Sequence, residues 1–112
     1  MERERRRALR FRLIAPAELI DETSGARSTA YVTDFNLYGC TLGVRHPPRK
    51  GTPIRIEVVT AAESFESRAT VAHSHGRCAG LTFRDVKPQS LTILQRWLVT
   101  ARQKQQERPQ TG

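Results

Sequence analysis

The sequence predicts an all-β domain of six short antiparallel strands, a barrel or a sandwich, followed by one α-helix and preceded by a basic arm. Three observations carry that prediction. Apolar and polar residues alternate in six runs, separated by Gly-, Pro- and Asp-containing turns. Near Leu91 the apolar spacing changes from a strand period to a helical one. The charge, finally, lies at the ends: of a net +8, residues 1–12 carry +4 and residues 96–112 carry +3. The 83 residues between them are nearly neutral, at +1.

Taken in order, residues 1–12 read as a flexible basic arm, with six arginines and two glutamates and no lysine. Arginine favours forked recognition of phosphates or of a guanine edge over a loose point charge. Ala17-Glu18-Leu19-Ile20 begins the first strand, and Asp21 to Gly25 is a polar turn. Thr29–Thr33 and Cys40–Val44 are the second and third strands, the latter with Cys40, Leu42 and Val44 on one face. His46 to Gly51 is a loop, since two prolines and a glycine oppose regular pairing. Ile54–Val58 gives the cleanest alternation, and Phe65–Val71 the fifth strand. His73 to Arg77 turns the chain into Ala79–Phe83, the sixth. Leu91, Leu94, Leu98 and Ala101, widened by Trp97, mark one helical stripe, with Pro88 in the first turn. The expected layout is therefore arm 1–12, β domain 13–86, helix 87–104 and a disordered tail 105–112. Closing the sheet into a barrel would remove the edges that a small open sheet must protect.

At 112 residues the chain makes one domain with a modest core. A basic balance points to an anionic partner: nucleic acid, a nucleotide or a membrane surface. No run approaches the length of a membrane-spanning helix, and the N-terminal charge lacks the apolar stretch of a signal peptide. A cytoplasmic location is expected. Cys40 and Cys78 stand alone, with no CxxC, and are expected as buried free thiols. His46, His73 and His75 fall in or beside expected turns and find no third ligand, so neither a metal nor a cofactor is expected. No nucleophile–base grouping and no phosphate-binding Gly loop is readable, which argues against an enzyme.

The remaining constellation is Thr33-Asp34-Phe35-Asn36-Leu37-Tyr38-Gly39-Cys40. An extended backbone here would put Asp34 and Asn36 on one face, Phe35 and Leu37 on the other. A carboxylate accepts two hydrogen bonds in a plane, which suits the N1–H and N2–H₂ edge of guanine. Gly39 would let the backbone bend or a flat ligand approach. The plainer reading is an Asx turn closing a hairpin.

Arg6 and Arg10, four apart just before the first strand, together with Asp34, Asn36 and Gly39, resemble the two-part signature of the PilZ domain family. That pattern is R-x-x-x-R followed by [D/N]-x-S-x-x-G. Arg3 and Arg7 share the same spacing, but Arg6 and Arg10 lie closer to strand one and are followed by apolar Phe11. Ala79–Phe83 resembles the family's last strand, and the final helix has the expected place. The resemblance implies a six-stranded antiparallel β-barrel with a C-terminal α-helix that binds cyclic di-GMP, a bacterial second messenger. It implies that the arginines clasp phosphates and guanine faces while Asp34, Asn36 and Gly39 read a guanine at the barrel surface. Asn36 departs from the family's Ser. Arg5, ahead of Arg6, resembles the type that holds two mutually stacked cyclic di-GMP molecules.

The expected function is thus a non-enzymatic cyclic di-GMP receptor or adaptor, its arm closing over ligand and its signal passing to a downstream protein. Two alternatives stand beside it. One is a module of the same fold that binds proteins and no nucleotide. The other is a small basic barrel for nucleic acid, which would want more surface aromatics than Phe11, Tyr31, Phe35 and Tyr38 provide.

Overall fold

The computed structural model describes residues 11–107. Six strands, β1 (Phe11–Asp21), β2 (Arg27–Phe35), β3 (Gly39–Val44), β4 (Pro53–Val59), β5 (Ser64–His75) and β6 (Cys78–Arg84), precede one helix, α1 (Pro88–Glu107). All pairings are antiparallel, and the strands close into a barrel in the order β1-β2-β3-β6-β5-β4. The arrangement is a barrel and not a sandwich.

The elements differ from expectation mainly at their ends. β1 begins at Phe11, inside the stretch assigned to the arm, and pairs with both β2 and β4. Its early residues hide the alternation because the register to β2 shifts between Arg12 and Ala15. β5 continues through His73 and His75, which had been expected in a turn. There too a register shift, between Val71 and His73, breaks the two-residue period. The helix begins at Pro88, as its spacing predicts, and runs on to Glu107. The expected polar turn after β1 is held by Asp21, whose Oδ1 accepts from the Thr23 amide at 2.8 Å.

Inward-facing residues fill the barrel: Leu19, Val32, Leu42, Ile54, Ile56, Val58 and Val71 are all buried. Each such side chain contributes about 1.5–3 kcal/mol when fully withdrawn from water. α1 packs against β5 and β1. It inserts Leu94, which is fully buried, and lays Ile93, Trp97 and Leu98 against the core. An aromatic cluster forms where helix meets barrel. Phe35 and Phe65 meet edge to face at 6.1 Å, and Trp97 reaches Phe35 at 5.7 Å. Glu63, in the β4–β5 connection, then fixes the helix by accepting from Trp97 Nε1 at 2.8 Å and from Arg96.

Cys40 is buried, but Cys78 is exposed at the start of β6, contrary to the expectation that both would be buried. Among the described residues no helix is long and apolar enough to cross a membrane. No three His, Cys, Asp or Glu side chains gather there to hold a metal ion.

Candidate functional site

The β2–β3 connection is built around Asn36. Its backbone N–H donates to the Gly39 carbonyl at 2.9 Å. Its side-chain Oδ1 accepts from the Tyr38 amide at 2.7 Å and from the Gly39 amide at 2.9 Å. This is an Asx turn, so the carbonyl end of Asn36 is committed to the backbone. The amide nitrogen of Asn36 makes no hydrogen bond among the described residues. The extended run ends at Phe35, which is why the expected two-faced pattern fails. Phe35 is 1% exposed and belongs to the core, whereas Leu37 is 45% exposed at the turn.

Gly39 has a definite steric reason. A methyl group there would run into the Leu81 carbonyl oxygen, on the strand that β3 pairs with. The close approach that Gly39 permits is therefore to the backbone of β6. The Tyr38 carbonyl in turn accepts from the Phe83 amide at 2.7 Å, which ties the turn to β6.

Asp34 is placed by pairing. It lies opposite Arg12 of β1 and Thr41 of β3; Thr41 lies opposite Gly80 of β6, and Gly80 opposite His73 of β5. Residues opposite one another in an antiparallel ladder share a face. The neighbouring row, Phe35, Cys40, Leu81 and Val71, is buried throughout. The Asp34 row therefore points outward, and Asp34 is half-buried on the barrel surface. Its carboxylate is also felt inside. Burial, and secondarily the Asp34 charge, pushes the Cys40 thiol far above its ordinary range.

Of the residues singled out in the sequence, Asp34, Asn36 and Gly39 are brought to one rim of the barrel, around the β2–β3 turn. Arg5, Arg6 and Arg10 lie outside the described residues. β1 starts at Phe11 opposite Phe35, so the chain carrying those arginines joins the barrel beside this rim. Thr41 and His73 were not singled out for the site. No motif marks them, and only the strand register brings them into the Asp34 row.

These features define a class: a small closed barrel with a helix laid on it and a polar turn beside a basic N-terminal segment. The chain belongs to the PilZ domain family, whose model matches residues 4–100. Solved structures of the same fold include the PilZ domain with c-di-GMP of YcgR from Escherichia coli. It is 17% identical, with a TM-score of 0.76, covering 96% of this chain and 99% of that one. The PilZ domain of CeSA from a cellulose-synthesizing bacterium is 16% identical, with a TM-score of 0.70, covering 83% and 97%. The Bacillus subtilis inhibitor of motility (MotI/DgrA) is 13% identical, with a TM-score of 0.72, covering 90% of this chain and 52% of that longer one. Among curated proteins none matches this sequence.

Proposed function

We propose that this chain is a cyclic di-GMP receptor in which Asp34 reads a guanine edge while Arg6 and Arg10 clasp phosphate and purine. The observation that carries this reading is the place of Asp34. Asp34 faces outward at the rim where Phe11 begins β1, and Arg10 is the residue before Phe11. The c-di-GMP in the structure of the Escherichia coli YcgR domain supports the same ligand class. Arginine suits it chemically, being bidentate at phosphate oxygens and flat against purines. The amide nitrogen of Asn36 is the donor left to face ligand, and Gly39 serves by holding the turn. The receptor has no catalytic role, works in the cytoplasm, and passes its signal to a downstream protein.

Calorimetric titration with cyclic di-GMP, beside GTP and cyclic di-AMP, tests the reading. Selective binding that is lost in a folded Arg10→Ala variant is the expected result. Arg5 supplies extra cationic cover for a second, stacked molecule, so two nucleotides bind the wild type and one binds Arg5→Leu. A wild-type stoichiometry of one removes the role given to Arg5.

A second reading is a protein-binding module of the same fold. It draws on Asn36, which stands where the family pattern has Ser and whose Oδ1 is already used by the turn. Failure of the wild type to bind any of the three nucleotides favours it.

A further inference from the structure

The outer surface beside Asp34 has a feature that the two motifs do not account for. Thr41, a short half-buried residue, is bordered on β6 by Gly80 and, two residues further along β3, by Gly43. Both glycines are covered by a ring from the strand beyond. A Cβ on Gly43 would meet the Tyr31 ring at 2.6 Å, and one on Gly80 would run into the His73 imidazole. Tyr31 and His73 are the cross-strand partners of these glycines, and both side chains are exposed. Asp34, Thr41, Gly80 and His73 thus stand in one row across the outer face of β2, β3, β6 and β5, with the Tyr31 ring over Gly43 beside that row.

We propose that Tyr31 and His73 are the base-stacking residues of the ligand site, receiving a guanine that lies over Thr41 with its edge turned to Asp34. The inference rests on the cyclic di-GMP reading and extends it to residues outside both motifs. Two physical points carry it. First, exposed rings leaning over side-chain-free backbone present flat apolar faces that water solvates poorly, and a purine face is their natural cover. Second, this face suits an anionic ligand. Asp34 is the only acid within β2, β3 and β6. Beyond Tyr31 the surface opens into a cleft of about 390 Å³ that is lined by Arg45 and Arg77 and by no carboxylate. A guanine over Thr41 sits one strand spacing, about 4.8 Å, from the Asp34 strand and the same from Gly80. It is therefore within reach of the carboxylate and of both rings.

The competing explanation is that the rings only cover glycines and stabilise the sheet. Three measurements separate the two: cyclic di-GMP titration of the wild type, His73→Ala, Tyr31→Ala and His73→Phe; their melting temperatures; and the ring-proton resonances of the wild type on saturation. Expected are a roughly tenfold loss of affinity in each alanine variant, scaled by one lost stacking contact, and near-complete retention in His73→Phe. The His73 and Tyr31 ring protons should shift upfield as ligand is added. Unmoved ring protons in a wild type that binds ligand overturn the inference and leave the receptor reading intact, as do alanine variants of unchanged affinity. A wild type that binds no cyclic di-GMP overturns both.

Discussion

The two halves of the barrel wall treat their surface charge differently. Around β1, β4 and β5, arginines are matched to glutamates: Arg55 with Glu66 and Arg68 with Glu22, while Arg27 at the far end of β2 meets Glu18 of β1 and Arg96 of the helix meets Glu63. On the side formed by β2, β3 and β6, one acid stands beside glycines, threonines and exposed rings. Arg12, Arg45 and Arg77 around it take no ion pair among the described residues. Exposed pairs contribute little to stability, about 0–1 kcal/mol each. Their value on the first side is that they leave no unmatched charge for a partner to find. The second side leaves Asp34 and these arginines without such partners among the described residues, which is what the proposed receptor needs.

The sharpest way to break this contrast is to close the uncommitted side sterically. Gly39→Ala drives a methyl into the Leu81 carbonyl, which belongs to backbone that cannot step aside without unpairing β3 from β6. A loss of about 3 kcal/mol is expected, at the upper end of overpacking effects, and urea unfolding measures it. A variant within 0.5 kcal/mol of wild type, to order of magnitude, would show that the rim is pliable and that Gly39 answers to ligand alone.

Asp34→Ala comes next, and its effect should fall on binding. Loss of a charged hydrogen-bonding partner costs about 1.5–3 kcal/mol, roughly a 10- to 100-fold weaker complex. Stability should hardly move, because Asp34 makes no hydrogen bond to another described side chain. Undiminished affinity would return Asp34 to the role of a surface turn residue.

Smaller still is Asn36→Ala, which leaves the amides of Tyr38 and Gly39 without their acceptor and should cost about 1 kcal/mol. Asn36→Asp keeps that acceptor and should stay near wild type in thermal unfolding.

The thiols give a qualitative check on inside against outside. With a thiol reagent near pH 8, Cys78 should label and Cys40 should not, since burial and the Asp34 charge hold Cys40 protonated. The sign follows for stability. The unfolded chain releases the Cys40 proton first, so the folded state binds more protons above the ordinary thiol range. The contribution from Cys40 is complete below about pH 8.5 and declines as pH rises beyond it. Stability that rises with pH through that range would contradict the burial.

Much of the barrel was legible because alternation survives wherever the register is regular. Ile54 to Val58 is the plain case, with buried and exposed residues in strict turn. Phe11 to Ile14 and His73 to His75 were not legible, because a register shift moves side chains to the other face without leaving a mark in composition. Asn36 was legible as two alternatives, a ligand contact or a turn. The geometry gives its carbonyl to the turn and leaves only its amide nitrogen for a partner. The pairing of Tyr31 with Gly43 and of His73 with Gly80 could not be read, since each lies across a hairpin whose register shifts, between Val32 and Asp34 and between Val71 and His73.

The smallest expected effect tests the matched side of the wall. Arg55 Nε meets Glu66 Oε2 at 2.6 Å, yet both side chains are nearly half exposed, at 44% and 48%. Water screens such a pair, and holding two long side chains in one geometry costs rotamer entropy, so a close contact does not imply a strong one. A double-mutant cycle through Arg55→Ala and Glu66→Ala should give a coupling of about 0.2–1 kcal/mol that weakens further in 1 M salt. Neither variant should alter cyclic di-GMP affinity, because both residues lie on the β4–β5 ladder, away from Asp34. A larger coupling, or a change in affinity from either substitution, would mean that the two halves of the wall are not independent.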